Sequence, residues 1–244
     1  MAKNMSRKRR RHDRHLGSAE IINFEDAKFE TGRAKPPIKA LNRNQAEYLN
    51  ALRTSPQVIV LGPAGTGKTW IAATLAADLL RARQIDKIIL TRPNVPCGRS
   101  LGFFPGTLQA KFAPWAAPVA QAIEERIGRG AYDIALKSGD IEVVPFEVMR
   151  GRSWKNAFVL LDEAQNATPA EIKTFLTRIG EDCTVVINGD VSQCDLEEAS
   201  GLSTVLHLIR SQRLPVPVIE FAIADIVRSG VCAMWVEAFA EARI

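Results

Sequence analysis

The sequence predicts an α/β fold with a mostly parallel sheet and helices on both faces, and three observations carry that expectation. Short runs of branched apolar residues recur along the chain, and helix-like stretches with apolar residues at three- and four-residue spacing lie between them. The runs are apolar at nearly every position, as strands buried on both faces are. Polar, glycine-containing clusters follow several of the runs, at the carboxyl ends of the strands, where such sheets bind ligands.

Residues 1–20 cannot bury apolar surface and are expected to be a disordered basic tail. Residues 1–15 hold seven Lys or Arg against Asp13 alone, so the net charge of +5 resides in the tail and the rest sums to −1. Arg7–His15 reads either as a solvated, solubilising segment or as an arm that meets nucleic-acid phosphates by charge. Residues 21–40, with Pro36-Pro37, form a linker, and residues 41–244 form one domain with no internal repeat.

Within that domain Leu41–Thr54 is a short helix that Asn42 or Asn44 can cap. Val58–Leu61 is the first buried strand, and Trp70–Leu80 a helix rich in helix formers. Lys87–Thr91 is the second strand. Residues 92–118 combine five prolines and three glycines with Phe103, Phe104 and Trp115, and read as an ordered, functional excursion without regular structure. Val119–Ile127 follows as a helix, then strands at Ile141–Val144 and Ala157–Leu161. Thr168 with Glu171 forms a capping box and Pro169 suits the first helical position, opening a helix to about Arg178. Cys183–Asn188 is a strand, Gly201–Arg210 a helix, Pro217–Phe221 a last strand and Ser229–Ala242 an amphipathic helix.

No apolar run approaches the ~18 residues of a membrane span, and Ile21-Ile22 is too short for a signal-peptide core. Cys97, Cys183, Cys194 and Cys232 show no metal or C-x-x-C spacing and read as reduced thiols, which together with the absence of a span points to the cytoplasm.

The chemistry centres on Gly62-Pro63-Ala64-Gly65-Thr66-Gly67-Lys68-Thr69, a G-x-x-x-x-G-K-T pattern between a strand and a helix. Its glycines let the backbone turn tightly, and a phosphate would sit on unpaired amides at the helix N-terminus. Lys68 would reach the β- and γ-phosphates, and the Thr69 hydroxyl would ligate Mg²⁺. Asp162, at the end of a buried strand, would hold the Mg²⁺ shell, and Glu163 beside it would orient the attacking water. Gln193, in Gly189–Gln193, is placed to sense the γ-phosphate. Arg178 and Arg228 are candidates for an arginine finger supplied by a neighbouring subunit, or are ordinary surface arginines.

These residues belong to a longer pattern. With Leu90–Pro93, Leu101–Trp115, Met149–Ser153, Leu161–Asn166, Lys173–Gly180, Gly189–Asp195, Ser200–Leu202 and Asp225–Ser229, the chain resembles the PhoH-like proteins. These are P-loop ATPases related to superfamily-1 helicase cores. The resemblance implies a single RecA-like P-loop NTPase core that binds and hydrolyses ATP with Mg²⁺. It also implies RNA association, ring oligomers, often hexamers, and a link to phosphate starvation. It makes Gln45 similar to the adenine-reading Gln of related helicase cores and places Trp70 beside the nucleotide. Ser229 departs from the usual His, and Thr107 from the usual acid. The chain looks like a minimal form, of the kind carried by bacteriophages.

Three functional readings follow. The first is a Mg²⁺-dependent ATPase acting on RNA. The second is a module in which nucleotide occupancy only controls assembly or partner contact. The third, a P-loop kinase, would need an acceptor pocket and lid for which residues 92–118 are the one signal. A nuclease has no acidic cluster to support it once Asp162, Glu163 and Asp190 are assigned.

Overall fold

The computed structural model describes residues 35–93, 108–146, 149, 151–196, 199–227, 234, 235 and 238, with backbone alone for 108–115. The basic tail, most of the linker, Cys97, Arg228, Cys232 and most of the expected C-terminal helix therefore lie outside the described residues.

Six strands form one open sheet: β1 (Gln57–Leu61), β2 (Lys87–Thr91), β3 (Ile141–Val143), β4 (Ala157–Leu161), β5 (Thr184–Gly189) and β6 (Val218–Glu220). Their order is β3-β2-β4-β5-β1-β6, and every pairing is parallel. The helices are α1 (Arg43–Thr54), α2 (Lys68–Arg81), α3 (Leu108–Ile127), α4 (Arg129–Ser138), α5 (Pro169–Leu176) and α6 (Gly201–Gln212). The architecture is the RecA-like α/β core that the sequence leads one to expect.

Strand alternation divides the core in two. Val58, Val60, Ile88, Leu90, Phe158, Leu160 and Val186 pack on one face with residues of α1, α2, α3 and α4. Ile59, Leu61, Ile89, Val159, Leu161, Val185 and Ile187 pack on the other with residues of α5 and α6. Both faces are dry, which is why these strands are apolar at consecutive positions.

Two expectations are corrected. The segment 92–118 does not stay irregular to its end: α3 begins at Leu108 and runs through both Pro114 and Pro118. Each proline removes one helical N–H. Pro118 lies on an exposed part of the helix. Beyond it Val119, Ala122 and Ile123 are buried in the core that α2 shares. The second correction is α4, which was not expected. Gly128, at φ 87, breaks the chain direction, and α4 then buries only Ala131 and Ala135. So small an apolar stripe leaves no visible period in the sequence.

Candidate nucleotide site

The phosphate loop links β1 to α2 at the carboxyl end of the sheet. Gly62, Gly65 and Gly67 have φ of 132°, 89° and 89°, in the region that side chains disfavour. Gly62 has a second constraint: a Cβ there would lie 2.4 Å from the Phe221 carbonyl oxygen. The loop is held from outside by its carbonyls. Gln45 Nε2 donates to Thr66 O at 3.0 Å, Val227 N to Gly65 O at 3.0 Å, and Thr66 Oγ1 to Pro63 O at 3.1 Å. A trans peptide whose carbonyl points outward turns the next N–H inward. These bonds therefore prepare the amides of Thr66 and Gly67 to face an anion.

Gln45 is buried, and its Oε1 accepts from Leu41 N at 2.9 Å. Its amide thus ties the loop, through Nε2, to the chain just before α1, through Oε1. Trp70, on the first turn of α2, is 49 % exposed. Lys68 folds back onto the loop: Nζ donates to Gly62 O at 2.5 Å and Pro63 O at 2.8 Å. Burial lowers its pKa, and the nearby charges of Asp190, Asp162 and Glu163 oppose that shift.

The two motif halves meet directly. Thr69 Oγ1 donates to Asp162 Oδ1 at 3.0 Å across 93 residues of chain. Asp162 extends β4 by one residue, its N–H donating to Thr91 O at 2.9 Å. Burial raises the Asp162 pKa and the Glu163 charge adds to the rise; the Thr69 hydrogen bond, Arg92 and Lys68 oppose it. A half-buried carboxylate held by a hydroxyl, near the charge of Lys68, is a donor set that fits a divalent cation with several waters.

Glu163 follows with φ 54°, a left-handed conformation rare outside glycine, and turns the chain into a 3-10 turn at Ala164–Asn166. Strain of this kind gathers at functional sites. Arg92 Nη2 approaches Glu163 Oε1 at 3.9 Å.

Gln165, which the sequence reading did not single out, joins the acid to the next loop. Its Nε2 donates to Glu163 Oε2 at 2.7 Å and to Gln193 O at 3.3 Å, and its Oε1 accepts from Asp190 N at 3.0 Å. Its own carbonyl accepts from Ser200 Oγ at 2.8 Å and Cys194 Sγ at 3.2 Å. The signal was on the page, two residues past Glu163, but a glutamine's partners are set by the fold and not by spacing. Gln193 is exposed, with Nε2 donating to Asp190 Oδ2 at 2.9 Å. Ser192 Oγ donates to Asp190 Oδ1 at 2.6 Å.

Arg178 lies elsewhere. Its carbonyl accepts from Trp154 N at 3.3 Å, just before β4 begins, whereas Asp162 follows the end of β4. Five strand residues span roughly 16 Å, so Arg178 sits at the opposite end of the sheet. Cys183 and Cys194 are free thiols.

Residues 37–240 match the family of PhoH-like proteins. The chain belongs to the PhoH-like family. It is 42 % identical over 228 residues to Protein PhoH of Escherichia coli K12, covering 92 % of this chain and 63 % of that protein. To the PhoH-like protein of Bacillus subtilis it is 41 % identical over 204 residues, covering 83 % and 64 %. The chain thus spans under two thirds of the length of these relatives. Among solved structures it is similar to the Pif1 helicase of Candida albicans, with TM-score 0.39 and 15 % identity over 76 % of this chain and 41 % of that one. A likeness at that level bears on neither activity nor substrate. Family and loop geometry together make this PhoH-like chain a P-loop protein. Among the described residues no helix is long and apolar enough to cross a membrane.

Proposed function

We propose that this chain hydrolyses ATP with Mg²⁺ at Gly62–Thr69, Asp162, Glu163 and Gln193, and that it acts on RNA as a ring oligomer. The observation that carries the hydrolytic reading is the 3.0 Å contact between Thr69 Oγ1 and Asp162 Oδ1, which completes the site from two distant motifs. Thr69 and Asp162 would hold the ion, which when bound neutralises charge developing on the phosphates.

The rest is the work of the chain's own groups. The inward amides of the loop bind the β- and γ-phosphates, and Lys68 exchanges its bonds to Gly62 O and Pro63 O for phosphate oxygens. Glu163, oriented by Gln165, takes a hydrogen bond from the attacking water and polarises it. Gln193 lies on the same hydrogen-bonded unit and reports the state of the γ-phosphate. The adenine-reading role of Gln45 and the place of Trp70 beside the nucleotide rest on the family resemblance. The RNA and ring parts of the proposal rest on the family resemblance and the basic tail.

Phosphate release with and without RNA tests the proposal. Glu163→Gln is expected to lower turnover by about 100-fold or more while leaving ATP-induced thermal stabilisation in place. Lys68→Ala is expected to abolish that stabilisation. Full turnover in the Glu163→Gln variant would refute the hydrolytic assignment, and the absence of any RNA stimulation would refute the RNA part.

A further inference from the structure

Asn188 carries an amide at a β5 position where its neighbours are apolar. Val186 belongs to the core on the α2 face and Ile187 to the core on the opposite face, so Asn188 faces α2. It is paired with Val60 on β1, two residues before Gly62. On its other side Leu161 pairs with Ile187, so the position beside Asn188 on β4 is that of Asp162. Asn188 therefore lies between the root of the phosphate loop and the acid that meets Thr69, on the same face as both.

Its side chain is fully buried, and neither Nδ2 nor Oδ1 has a hydrogen-bond partner. Thr74, Thr91 and Arg178 each leave one buried atom without a partner; among the described residues Asn188 leaves two, the whole of its amide. Each buried polar group left unpaired costs about 1–3 kcal/mol, and native interiors pair nearly all of them. Leucine or valine would fill a β5 position without that penalty. An amide here has a use when its partner arrives with the ligand.

The partner can be read from the neighbours. Mg²⁺ dehydrates reluctantly and keeps several waters when bound through one or two protein oxygens. Those waters need hydrogen-bond partners in the protein, and such outer contacts orient the ion's ligands. We infer that Asn188 is a positioning residue whose buried amide binds the water shell of the divalent cation held by Thr69 and Asp162. This rests on the reading of those two residues as ion ligands.

The test is thermal unfolding of the full chain with a non-hydrolysable ATP analogue across a Mg²⁺ titration, which reads binding without turnover. The wild-type midpoint is expected to rise with Mg²⁺ and to give a half-saturating concentration. Asn188→Leu is expected to unfold without ligand at or above the wild-type temperature, yet to need about 10-fold more Mg²⁺ for half-saturation. Asn188→Val gives the same reading should the larger side chain not fold. Asn188→Asp, which keeps an acceptor oxygen, is expected to restore the wild-type Mg²⁺ requirement. Leu and Val variants that saturate at the wild-type Mg²⁺ concentration would overturn the role of Asn188 and leave the ion ligands standing. A wild-type chain stabilised by the analogue with no dependence on Mg²⁺ would remove the ion-ligand reading itself, and this inference with it.

Discussion

Tyr48 shows how one side chain ties the phosphate loop to the rest of the fold. It is fully buried in α1, stacks edge-on against Phe221 at 6.1 Å, and its hydroxyl donates to Lys68 O at 3.4 Å. Burial, with the Asp162 charge adding to it, raises its pKa well above the ordinary 10.0. Above pH 10 the unfolded chain therefore loses the phenolic proton while the folded chain keeps it. The stability this group contributes is whole below that pH and is lost as pH rises through the folded value, by up to about 1.4 kcal/mol per pH unit. Tyr48→Phe is expected to unfold less steeply with alkali than the wild type, with a small loss at neutral pH from the long hydrogen bond. Equal alkaline slopes in urea-unfolding midpoints would show that Tyr48 does not set this limb. At this scale the sequence was legible where chemistry depends on order along the chain. Lys68, Thr69, Asp162 and Glu163 fall where their spacing placed them. It was silent on Gln165, whose amide joins Glu163 to Asp190 25 residues further on, and on Asn188, whose neighbours across the sheet lie on other strands.

At the level of elements, α5 is the helix the sequence defined best and the one on which the acid turn rests. Thr168 Oγ1 accepts from Glu171 N at 3.2 Å and Glu171 Oε2 accepts from Thr168 N at 2.8 Å. The residue before the cap, Ala167, accepts from Gly201 N at 2.7 Å, so the α5 start and the α6 start are fixed together. A Cβ on Gly201 would come within 2.6 Å of Thr168 O, which is why this approach needs glycine. Thr168→Ala removes one half of the capping box and is expected to cost about 1 kcal/mol. It should appear as a lower urea midpoint at an unchanged slope; an unchanged midpoint would mean that water replaces the cap without loss. Strands were legible because burial on both faces leaves an apolar run with no competing explanation. Helices were legible when a cap or a bulky stripe announced them. The first turns of α3 are hidden in the sequence by Pro114 and Pro118, and α4 by burying no more than two alanines.

For the whole molecule, the decisive feature is that Arg178 and the phosphate loop stand at opposite ends of the sheet. Lys68, Thr69, Asp162 and Glu163 stand at the carboxyl end, and Arg178 stands near the amino end, against Trp154. A separation of roughly 16 Å exceeds the length of an arginine side chain, so in this fold Arg178 does not reach its own nucleotide. If it stabilises a transition state, it does so on a neighbour, in a head-to-tail contact of the kind that closes into rings. That geometry makes a prediction no single-subunit mechanism shares. Arg178→Ala and Glu163→Gln chains are each expected to be inactive alone while still gaining thermal stability with ATP. Mixed under conditions that let subunits exchange, they are expected to recover part of the wild-type turnover. Some interfaces will then place an intact Arg178 from a Glu163→Gln subunit against an intact Glu163 on an Arg178→Ala subunit. Phosphate release across a series of mixing ratios should pass through a maximum at intermediate composition. Turnover that stays at the level of the inactive parents at every ratio would rule out Arg178 as a residue acting in trans.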